Sequence, residues 1–348
     1  MAILVTGGAG FIGSHTVKHF TDLGEEVIVV DNLHTGHRGS LSNEIFYELD
    51  IRDTAALEHV FNQHPIEAVI HFAASSLVGE SGQHPHEYYH NNVYGTMCLL
   101  DVMRRNDVNW IVFSSTAATY GDPERIPIKE QDVTSPTNTY GETKLTMEKM
   151  MKWYDHAYGL KYVSLRYFNA AGAHPSGAIG ERHDPETHLI PLILEVPNNQ
   201  REKVYIFGDR YPTKDGTCIR DYVHVMDLAS AHHDALNYLR AGKESDIFNL
   251  GNGNGYSVKE VIAMAREVTG HPIPAEVKER RDGDPAQLIA SSEKAKQMLG
   301  WEPRYGSLRK IIEDAWKWHS GEGAGKKVST ISERLYNVRL AISKSSFK

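Results

Sequence analysis

Tyr140 and Lys144 are the two residues of this sequence whose types and spacing best suit proton transfer. They lie one helical turn apart, so both side chains can face the same ligand if the segment is helical. A phenol with its ordinary pKa of about 10 is a poor base at neutral pH, but a nearby ammonium group favours the phenolate. We therefore expect Tyr140 to act as a base and Lys144 to assist it.

Three hydroxyl-bearing residues, Ser114, Ser115 and Thr116, end an apolar run that precedes this pair. A Tyr–Lys pair at this spacing also arises by chance, so its position after this run supports the catalytic interpretation. Hydroxyls at the carboxyl end of a strand are well placed to hold a substrate oxygen. Capping of the strand end is the alternative role for Ser115 and Thr116.

The element that must position a ligand against these residues is the start of the chain. An apolar strand is followed by Gly7, Gly10 and Gly13 and by an amphipathic helix. Glycines at these positions permit a tight turn and a close approach to a ligand, and the helix start offers unpaired N–H groups to a pyrophosphate. The second apolar strand ends at Asp31, which would accept hydrogen bonds from ribose hydroxyls and repel a 2′-phosphate. The pattern predicts NAD as cofactor rather than NADP, with an ordinary strand-turn-helix as the alternative.

Apolar strands alternate with helical stretches over the first 170 residues or so. The later strands are expected at Ile45–Glu48, Ala68–His71, Trp110–Ser115 and Tyr162–Arg166. Such alternation is typical of an α/β fold with a doubly wound, parallel, Rossmann-type sheet. Ligands bind at the carboxyl ends of strands in these sheets, so polar residues just after each run are the candidates for a site.

Beyond Asn169 the connections become rich in glycine, proline and histidine, which indicates a smaller substrate-binding lobe. We predict a cofactor-binding domain at 1–172, a lobe at 173–319 with some crossing back to the first domain, and a lightly docked tail at 320–348. Within the lobe we expect a strand at Phe248–Leu250 and helices at Val225–Leu239, from a Ser257 cap through Val268, and at Leu308–Trp318.

Composition excludes several classes of function. A net charge of −8 argues against nucleic acid or an anionic membrane as partner. Apolar runs reach only strand length, and the N-terminal apolar residues belong to the first strand rather than to a signal peptide. Two cysteines give no disulfide framework. The 19 histidines are scattered, and close pairs such as His84/His86 and His232/His233 lack the i, i+4 spacing of two ligands on one helix face, so we expect no metal site. A cytoplasmic enzyme fits these features.

Several longer motifs resemble a known family. One set of motifs comprises Thr6–Gly13, Val30–Leu33, Ser114–Gly121, Tyr140–Lys144 and Arg166–Asn169, and this set resembles the extended short-chain dehydrogenase/reductases. A second set comprises Tyr88–Val93, Gly172–Gly177, Asp215–Val225 and Arg281–Asp284, and this set more closely resembles the UDP-glucose 4-epimerases. The resemblance extends to about residue 319.

The resemblance implies site residues position by position. Tyr140 matches the family's base, Lys144 its partner and Thr116 the hydroxyl position. The predicted cofactor site, which Asn92 also adjoins, comprises Gly7, Gly10, Phe11, Ile12, Gly13, Asp31, Asn32, Asp50, Ile51, Phe72, Ala73, Ala74, Ser76, Asn91, Ser114, Tyr140, Lys144 and Tyr167. The predicted substrate site comprises Thr116, Tyr140, Asn169, His188, Leu189, Phe207, Arg220, Arg281, Asp284 and Leu288.

Within the substrate site the resemblance assigns Phe207 to the uracil, Arg220 and Arg281 to the diphosphate, and Asp284 to the uridine ribose. A guanidinium fork suits a phosphate, and an aromatic ring face suits a base. Asn169 matches a contact to the diphosphate or the sugar.

Three positions depart from the best-known members. Ser76 stands where a lysine contacts the cofactor, and His188 stands where some members have an asparagine. Leu288 stands where a tyrosine restricts the sugar's 2-substituent in some members, and the smaller leucine side chain leaves room for an N-acetyl group.

The reaction implied is inversion at C4 of a UDP-hexose through a 4-keto intermediate with tightly held NAD+, interconverting UDP-galactose and UDP-glucose. The resemblance also implies a homodimer through the helices near His86–Arg104 and Tyr140–Tyr158. The alternatives are another NAD-dependent nucleotide-sugar epimerase, a 4,6-dehydratase, or a non-catalytic NAD-sensing protein. Ala117 and Ala118 after Thr116 argue against the dehydratase, which needs an extra acid and base there.

Overall fold

The computed structural model describes residues 1–281 and 284–321. Asp282, Gly283 and all but the first two residues of the predicted tail lie outside the described residues. The strands are β1 Ala2–Thr6, β2 Val27–Asp31, β3 Ile45–Glu48, β4 Ile66–His71, β5 Trp110–Thr116, β6 Lys161–Tyr167, β7 Asn169–Ala171, β8 Val204–Phe207, β9 Ile219–His224, β10 Asp246–Leu250, β11 Gly255–Ser257, β12 Ala275–Lys278 and β13 Gln287–Leu288. The helices are α1 Phe11–Asp22, α2 Thr54–Gln63, α3 Val78–Ser81, α4 Pro85–Tyr88, α5 Gly95–Arg105, α6 Thr139–Tyr158, α7 Leu189–Leu194, α8 Val225–Arg240, α9 Val258–Thr269, α10 Glu293–Leu299 and α11 Leu308–His319.

The main sheet confirms the predicted α/β fold. Its seven strands run in the order β10-β6-β5-β4-β1-β2-β3, and every neighbouring pair is parallel. The strand order reverses between β1 and β4, where the connections leave toward opposite edges of the sheet. In such sheets this reversal opens a crevice at the carboxyl ends of the strands, and ligands bind there.

Helices cover both faces of the sheet. Val17 of α1 and Leu236 of α8 are buried in the core on one face, while Leu57 of α2, Leu99 of α5 and Met147 of α6 are buried in the core on the other. Burying one such side chain contributes about 1.5–3 kcal/mol, so the two cores together hold the sheet between its helices. No helix among residues 1–281 and 284–321 is long and apolar enough to cross a membrane.

The C-terminal part of the chain builds a smaller lobe. There β9 pairs with β7, β11 and β13, while β8 pairs with β12. Helices α7, α9 and α11 supply this lobe's core, which includes Ile193, Ile262 and Ile312. Because β10 and α8 pack on the main sheet, the chain crosses back to it after β9. The division at residues 172 and 173 stays a prediction.

Local signals in the sequence explain where the key helix begins and ends. The side chain of Asn138 caps α6 by accepting a hydrogen bond from the Gly141 N–H, and Gly159 ends the helix with a φ of 73°. Ser257 and Glu260 form a capping box at the start of α9, as predicted for the Ser257 cap. The remaining strands and helices predicted from the sequence are confirmed to within about two residues.

A buried ion pair joins α6 to the sheet. Glu148 on α6 accepts two hydrogen bonds from Arg166 of β6, from Nε at 2.9 Å and from Nη2 at 2.6 Å. Ser115 of β5 donates to the same carboxylate at 2.5 Å, and Arg166 Nη1 donates to the Tyr120 hydroxyl at 2.9 Å. Tyr120 in turn donates to Asn249 of β10. The network therefore links one helix to three strands.

We expect Glu148→Ala to lower the free energy of unfolding by about 3–5 kcal/mol, because it leaves the Arg166 guanidinium buried without its counter-charge. Urea denaturation followed by fluorescence measures this change. The matched control is Asp22→Ala, which removes the exposed Lys18–Asp22 pair and should cost less than about 1 kcal/mol. Equal losses in the two variants would contradict a stabilising role for the buried pair.

Candidate active site

The turn after β1 depends on glycine for two different reasons. Gly7 has a φ of 72°, and a Cβ there would lie 2.5 Å from the Ala73 nitrogen after β4. A Cβ on Gly13 would lie 2.2 Å from the Gly7 carbonyl oxygen. Both positions therefore exclude a side chain on steric grounds. Gly10 differs, since the nearest atom to a Cβ there is the Gly7 oxygen at 3.4 Å.

The space at Gly10 fits the pyrophosphate of a dinucleotide. Helix α1 begins at Phe11, directly after Gly10, so the N–H groups of its first turn and its positive dipole end point into this space. The first turn, Phe11-Ile12-Gly13-Ser14, carries no acidic side chain that would compete for those groups. A Cβ on Gly10 would occupy the space without disturbing the protein's own atoms. The predicted phosphate-binding residues thus come together at the sheet's crevice.

The acids predicted to bind the adenosine are held by different partners. Asp31 accepts hydrogen bonds from the Ala9 and Leu33 N–H groups, at 2.9 Å and 2.8 Å, which fixes its carboxylate beside the glycine turn. Burial raises the pKa of Asp31. Asp50 instead accepts three hydrogen bonds from Arg52 and one from Asn32, and these hold its pKa well below the usual range. Sequence spacing gave no sign of the Arg52 contact.

Ile51, next to Asp50, is buried. On the other side of the crevice, the segment after β4 lies against Gly7. The N–H groups of Phe72 and Ala73 both donate to the Thr6 carbonyl oxygen. Ala74 and Ser76 follow on the same segment, and Ser76 is exposed.

Asn92 holds this segment in place. Its amide binds both the N–H and the carbonyl of Ser75 and donates to the Thr143 hydroxyl of α6. Asn91 donates to the Ser75 hydroxyl at 3.2 Å. The structure therefore gives Asn92 a positioning role between the cofactor-side segment and α6, and it places Ser75 rather than Ser76 in these hydrogen bonds.

Tyr140, Lys144 and Thr116 come together as predicted. Thr116 ends β5 and hydrogen-bonds Tyr140, while Lys144 Nζ donates to the Ser114 carbonyl oxygen at 2.7 Å. The same ammonium nitrogen lies 4.8 Å from the ring centroid of Phe113 and 6.0 Å from that of Tyr140. The Tyr167 and Ser114 hydroxyls form a hydrogen bond beside this group.

Burial opposes the effect that we expect Lys144 to have on the pKa of Tyr140. Burial raises the pKa of Tyr140 to about 12, against the opposing effect of its hydrogen bond with Thr116. Burial also lowers the pKa of Lys144 to about 7, although the Glu148 carboxylate opposes that shift. Desolvation is therefore the largest influence on the pKa values of both groups.

Three of the predicted substrate residues lie on adjacent strands of the smaller lobe. Asn169 is in β7, Arg220 is in β9 and Leu288 is in β13, and β9 is the strand shared between them. Leu288 is paired with Arg220 and packs against a small apolar cluster that includes Ala117 and Phe168. Because Ala117 follows Thr116, this contact brings the lobe to the end of β5.

The residues predicted to bind the nucleotide form two pairs with one another. Arg220 forms an ion pair with Asp284 and donates to its neighbouring carbonyl at Ile219 at 2.8 Å. The Arg281 guanidinium carbon lies 4.0 Å from the ring centroid of Phe207. Each of these residues was predicted to contact the ligand, but the pairs between them were not predicted. A cavity of about 280 Å³ adjoins this group and is lined by Asp122, Thr137, Pro212, Arg280, Asp284, Pro285 and Ala286.

His188 lies apart from these pairs. It precedes α7 and hydrogen-bonds the buried carboxylate of Glu181, while Leu189 begins the helix and packs on the lobe's core. Glu181 was not among the predicted site residues. Glu148 was not among them either. The feature that could have identified it is a charged residue one turn beyond Lys144, on a helix face that the apolar pattern assigns to the core.

Comparisons with known proteins show which family this chain resembles. Residues 3–251 match the NAD dependent epimerase/dehydratase family. A UDP-glucose 4-epimerase from Halalkalibacterium halodurans is 64% identical over 319 residues, which are 92% of this chain and 96% of that protein.

Two solved structures are similar over nearly the whole chain. That of UDP-glucose 4-epimerase from Bifidobacterium longum in complex with NAD+ and UDP is 39% identical, with a TM-score of 0.88 over 93% of this chain and 100% of the other. That of the UDP-Glc/GlcNAc 4-epimerase from Campylobacter jejuni is 41% identical, with a TM-score of 0.81 over 92% of this chain and 99% of the other.

The parallel sheet, the glycine turn and the Tyr–Lys pair define a nucleotide-binding α/β enzyme. The chain belongs to the NAD dependent epimerase/dehydratase family, because the match covers well over half of its length.

Gly10→Ala tests the cofactor site without disturbing the turn. We expect the variant to fold normally but to bind NAD at least about tenfold more weakly, because the added methyl group fills the pyrophosphate space. NAD released from purified protein by acid and quantified by chromatography reports the loss. Lys18→Ala, on the exposed side of the same helix, should keep the wild-type cofactor content, and equal retention by Gly10→Ala would place the pyrophosphate elsewhere.

Proposed function

We propose that this protein interconverts UDP-galactose and UDP-glucose by inverting C4 of the hexose, as an NAD-dependent isomerase with no net redox change. The observation that carries the proposal is the Thr116–Tyr140–Lys144 group at the end of β5, across the crevice from the glycine turn. The relatives named UDP-glucose 4-epimerase support the same activity, and the solved one holding NAD+ and UDP supports the same ligands.

Bound NAD would supply hydride chemistry, namely acceptance of one hydride from C4 of the hexose and its return to the same carbon. Tyr140 exchanges the proton of the 4-hydroxyl at its Oη, and Thr116, through its hydrogen bond with Tyr140, holds the same sugar oxygen. Because burial favours the protonated form of the Tyr140 phenol, positive charge brought near it would promote loss of the phenol's own proton. Lys144 lies on the same helix face, and its ammonium group offers that positive charge to Tyr140. The same group offers N–H donors to ribose hydroxyls.

The nucleotide-binding residues explain how the sugar can turn between the two hydride steps. Arg220 keeps N–H donors beyond its bonds to Asp284 and Ile219, and the Arg281–Phe207 pair offers a cation and a ring face. A firm hold on UDP with few contacts to the hexose lets the sugar present either face. Remote binding energy then positions the reacting carbon.

Residues after Thr116 distinguish this reaction from elimination of water. Ala117 and Ala118 occupy the positions next to it, and neither can donate or accept a proton from its side chain. The structure therefore favours epimerisation over the 4,6-dehydratase reaction.

We expect Tyr140→Phe to keep NAD and UDP-sugar binding but to lose turnover by at least about a hundredfold, because the proton has no acceptor. Proton NMR of UDP-galactose mixed with the purified protein, without added NAD, follows the appearance of UDP-glucose. Tyr238→Phe, a tyrosine on α8 that packs on Phe248, is the matched control and should turn over normally. Near-normal turnover in Tyr140→Phe would refute the assigned role, and no turnover by the wild type even with added NAD would refute the activity.

We further propose that Leu288 admits N-acetylated UDP-sugars. Its side chain packs partly buried against the cluster next to Thr116, where a larger residue would reach the sugar's 2-substituent. The similar Campylobacter jejuni protein is described as a UDP-Glc/GlcNAc 4-epimerase.

Leu288→Tyr should lower kcat/KM for UDP-N-acetylgalactosamine relative to UDP-galactose by about tenfold or more, because the ring takes the space of the acetyl group. The two substrates are compared by initial rates for the wild type, this variant and a size-matched control, Leu288→Met. An unchanged ratio in Leu288→Tyr would show that another residue sets this specificity.

We propose a homodimer joined through α5 and α6, in the cytoplasm, where NAD and nucleotide sugars are metabolised. Large apolar side chains remain exposed on these helices, among them Met97, Trp153 and Tyr158, with Trp153 68% exposed. Isolated molecules seldom present such a patch without a partner. Sedimentation equilibrium should give twice the chain mass, and a monomer at micromolar concentration would refute the proposal.

A further inference from the structure

The segment between β7 and α7 carries four side chains of the types that bind transition metals. Glu181, His183, Glu186 and His188 fall within eight residues, and one potential ligand atom of each lies within 4.8 Å of all the others. Histidine pairs at i, i+4 are one common pattern of metal ligands on a helix. Here the histidines are five residues apart, and the carboxylates complete the set.

The contacts within this cluster leave one nitrogen unsatisfied. His188 Nδ1 hydrogen-bonds Glu181, whereas His183 Nδ1 lies 3.4 Å from a Glu181 oxygen and 3.7 Å from a Glu186 oxygen. His183 Nδ1 is buried and has no hydrogen-bond partner among the residues that the structure describes. A buried ring nitrogen that faces two carboxylates without a hydrogen bond is unusual, because such groups are nearly always paired.

A metal ion shared by the four groups accounts for this arrangement. Ligand atoms about 2.0–2.2 Å from a tetrahedral ion lie roughly 3.3–3.5 Å from one another, close to the separations seen between His183 Nδ1 and the carboxylates. Small rotations of the side chains would complete the geometry. Both imidazoles present the same atom, Nδ1, to the cluster.

Burial and charge favour a cation at this point. Glu181 and Glu186 are only 3% and 8% exposed, so their charges need a nearby positive partner. A divalent cation bound between the two carboxylates would supply that partner.

We infer that Glu181, His183, Glu186 and His188 form a binding site for one zinc ion. Two imidazole nitrogens with two carboxylate oxygens suit zinc, whereas magnesium and calcium prefer oxygen ligands alone. The ion would join the segment after β7 to the start of α7, whose Ile190 and Ile193 enter the lobe's core. Trp318 of α11 donates to the Glu181 carbonyl oxygen at 2.9 Å, so the site would also fix α7 relative to α11.

Metal content tests the inference directly, whatever the enzymatic activity. The full-length protein is stripped with 1,10-phenanthroline, dialysed, loaded with zinc chloride, passed through a desalting column and analysed by mass spectrometry for zinc. We expect about one zinc per chain, a rise of several degrees in Tm on loading, and no rise with magnesium chloride. Cobalt chloride loaded in the same way should give the intense visible absorption of a tetrahedral site.

Two variants and a control locate the ion. His183→Gln and Glu186→Gln should each bind zinc at least about tenfold more weakly and lose the rise in Tm, since each removes one ligand. Glu186→Gln nearly preserves shape, so a folded variant that loses zinc separates metal binding from folding. His84→Gln, which alters an exposed His–Glu pair outside the cluster, should bind zinc normally. No retained zinc in the wild type, or equal zinc in the wild type and Glu186→Gln, would overturn the assignment.

Discussion

The buried pair between Glu148 and Arg166 is the interaction on which the arrangement of the active site depends. Two charges taken out of water are stable only when each finds complete hydrogen-bonded compensation, and the surrounding hydroxyls of Ser115 and Tyr120 supply it. This requirement fixes the rotation and height of α6 against β5 and β6. Tyr140 and Lys144 project from the same helix, so the pair determines where the proton-transfer groups meet the carboxyl end of β5.

The cofactor side is organised by a different constraint, the close approach of backbone to backbone. At Gly7 the ends of β1 and β4 lie too near each other for any side chain, and the same is true where Gly13 meets the Gly7 carbonyl. The crevice can therefore open at the switch point of the sheet while the strands beneath it stay tightly packed. Gly10 serves the ligand instead, since only there does the missing side chain leave free space.

The order and bounds of the main strands could be predicted because long apolar runs alternate with helical patterns, and because glycine and capping residues mark the turns. Asp31 also took its expected place at the end of β2. Contacts between charged side chains could not be predicted. Nothing in the spacing indicates that Arg52 would bind Asp50 or that Arg220 would bind Asp284, because those pairs depend on how separate loops meet in three dimensions.

The pKa of Tyr140 shows the same limit, since it depends on how deeply the folded chain buries the phenol, which the sequence does not contain.

The placement of β10 has a consequence for how the protein is made. The main sheet takes its last strand from residues 246–250, and α8 covers one of its faces. While the ribosome is still synthesising the second half of the chain, β6 is an open edge with an uncovered apolar face, the kind of surface that pairs with other chains. The nascent N-terminal half therefore depends on the arrival of the later segment, or on a chaperone, to avoid aggregation.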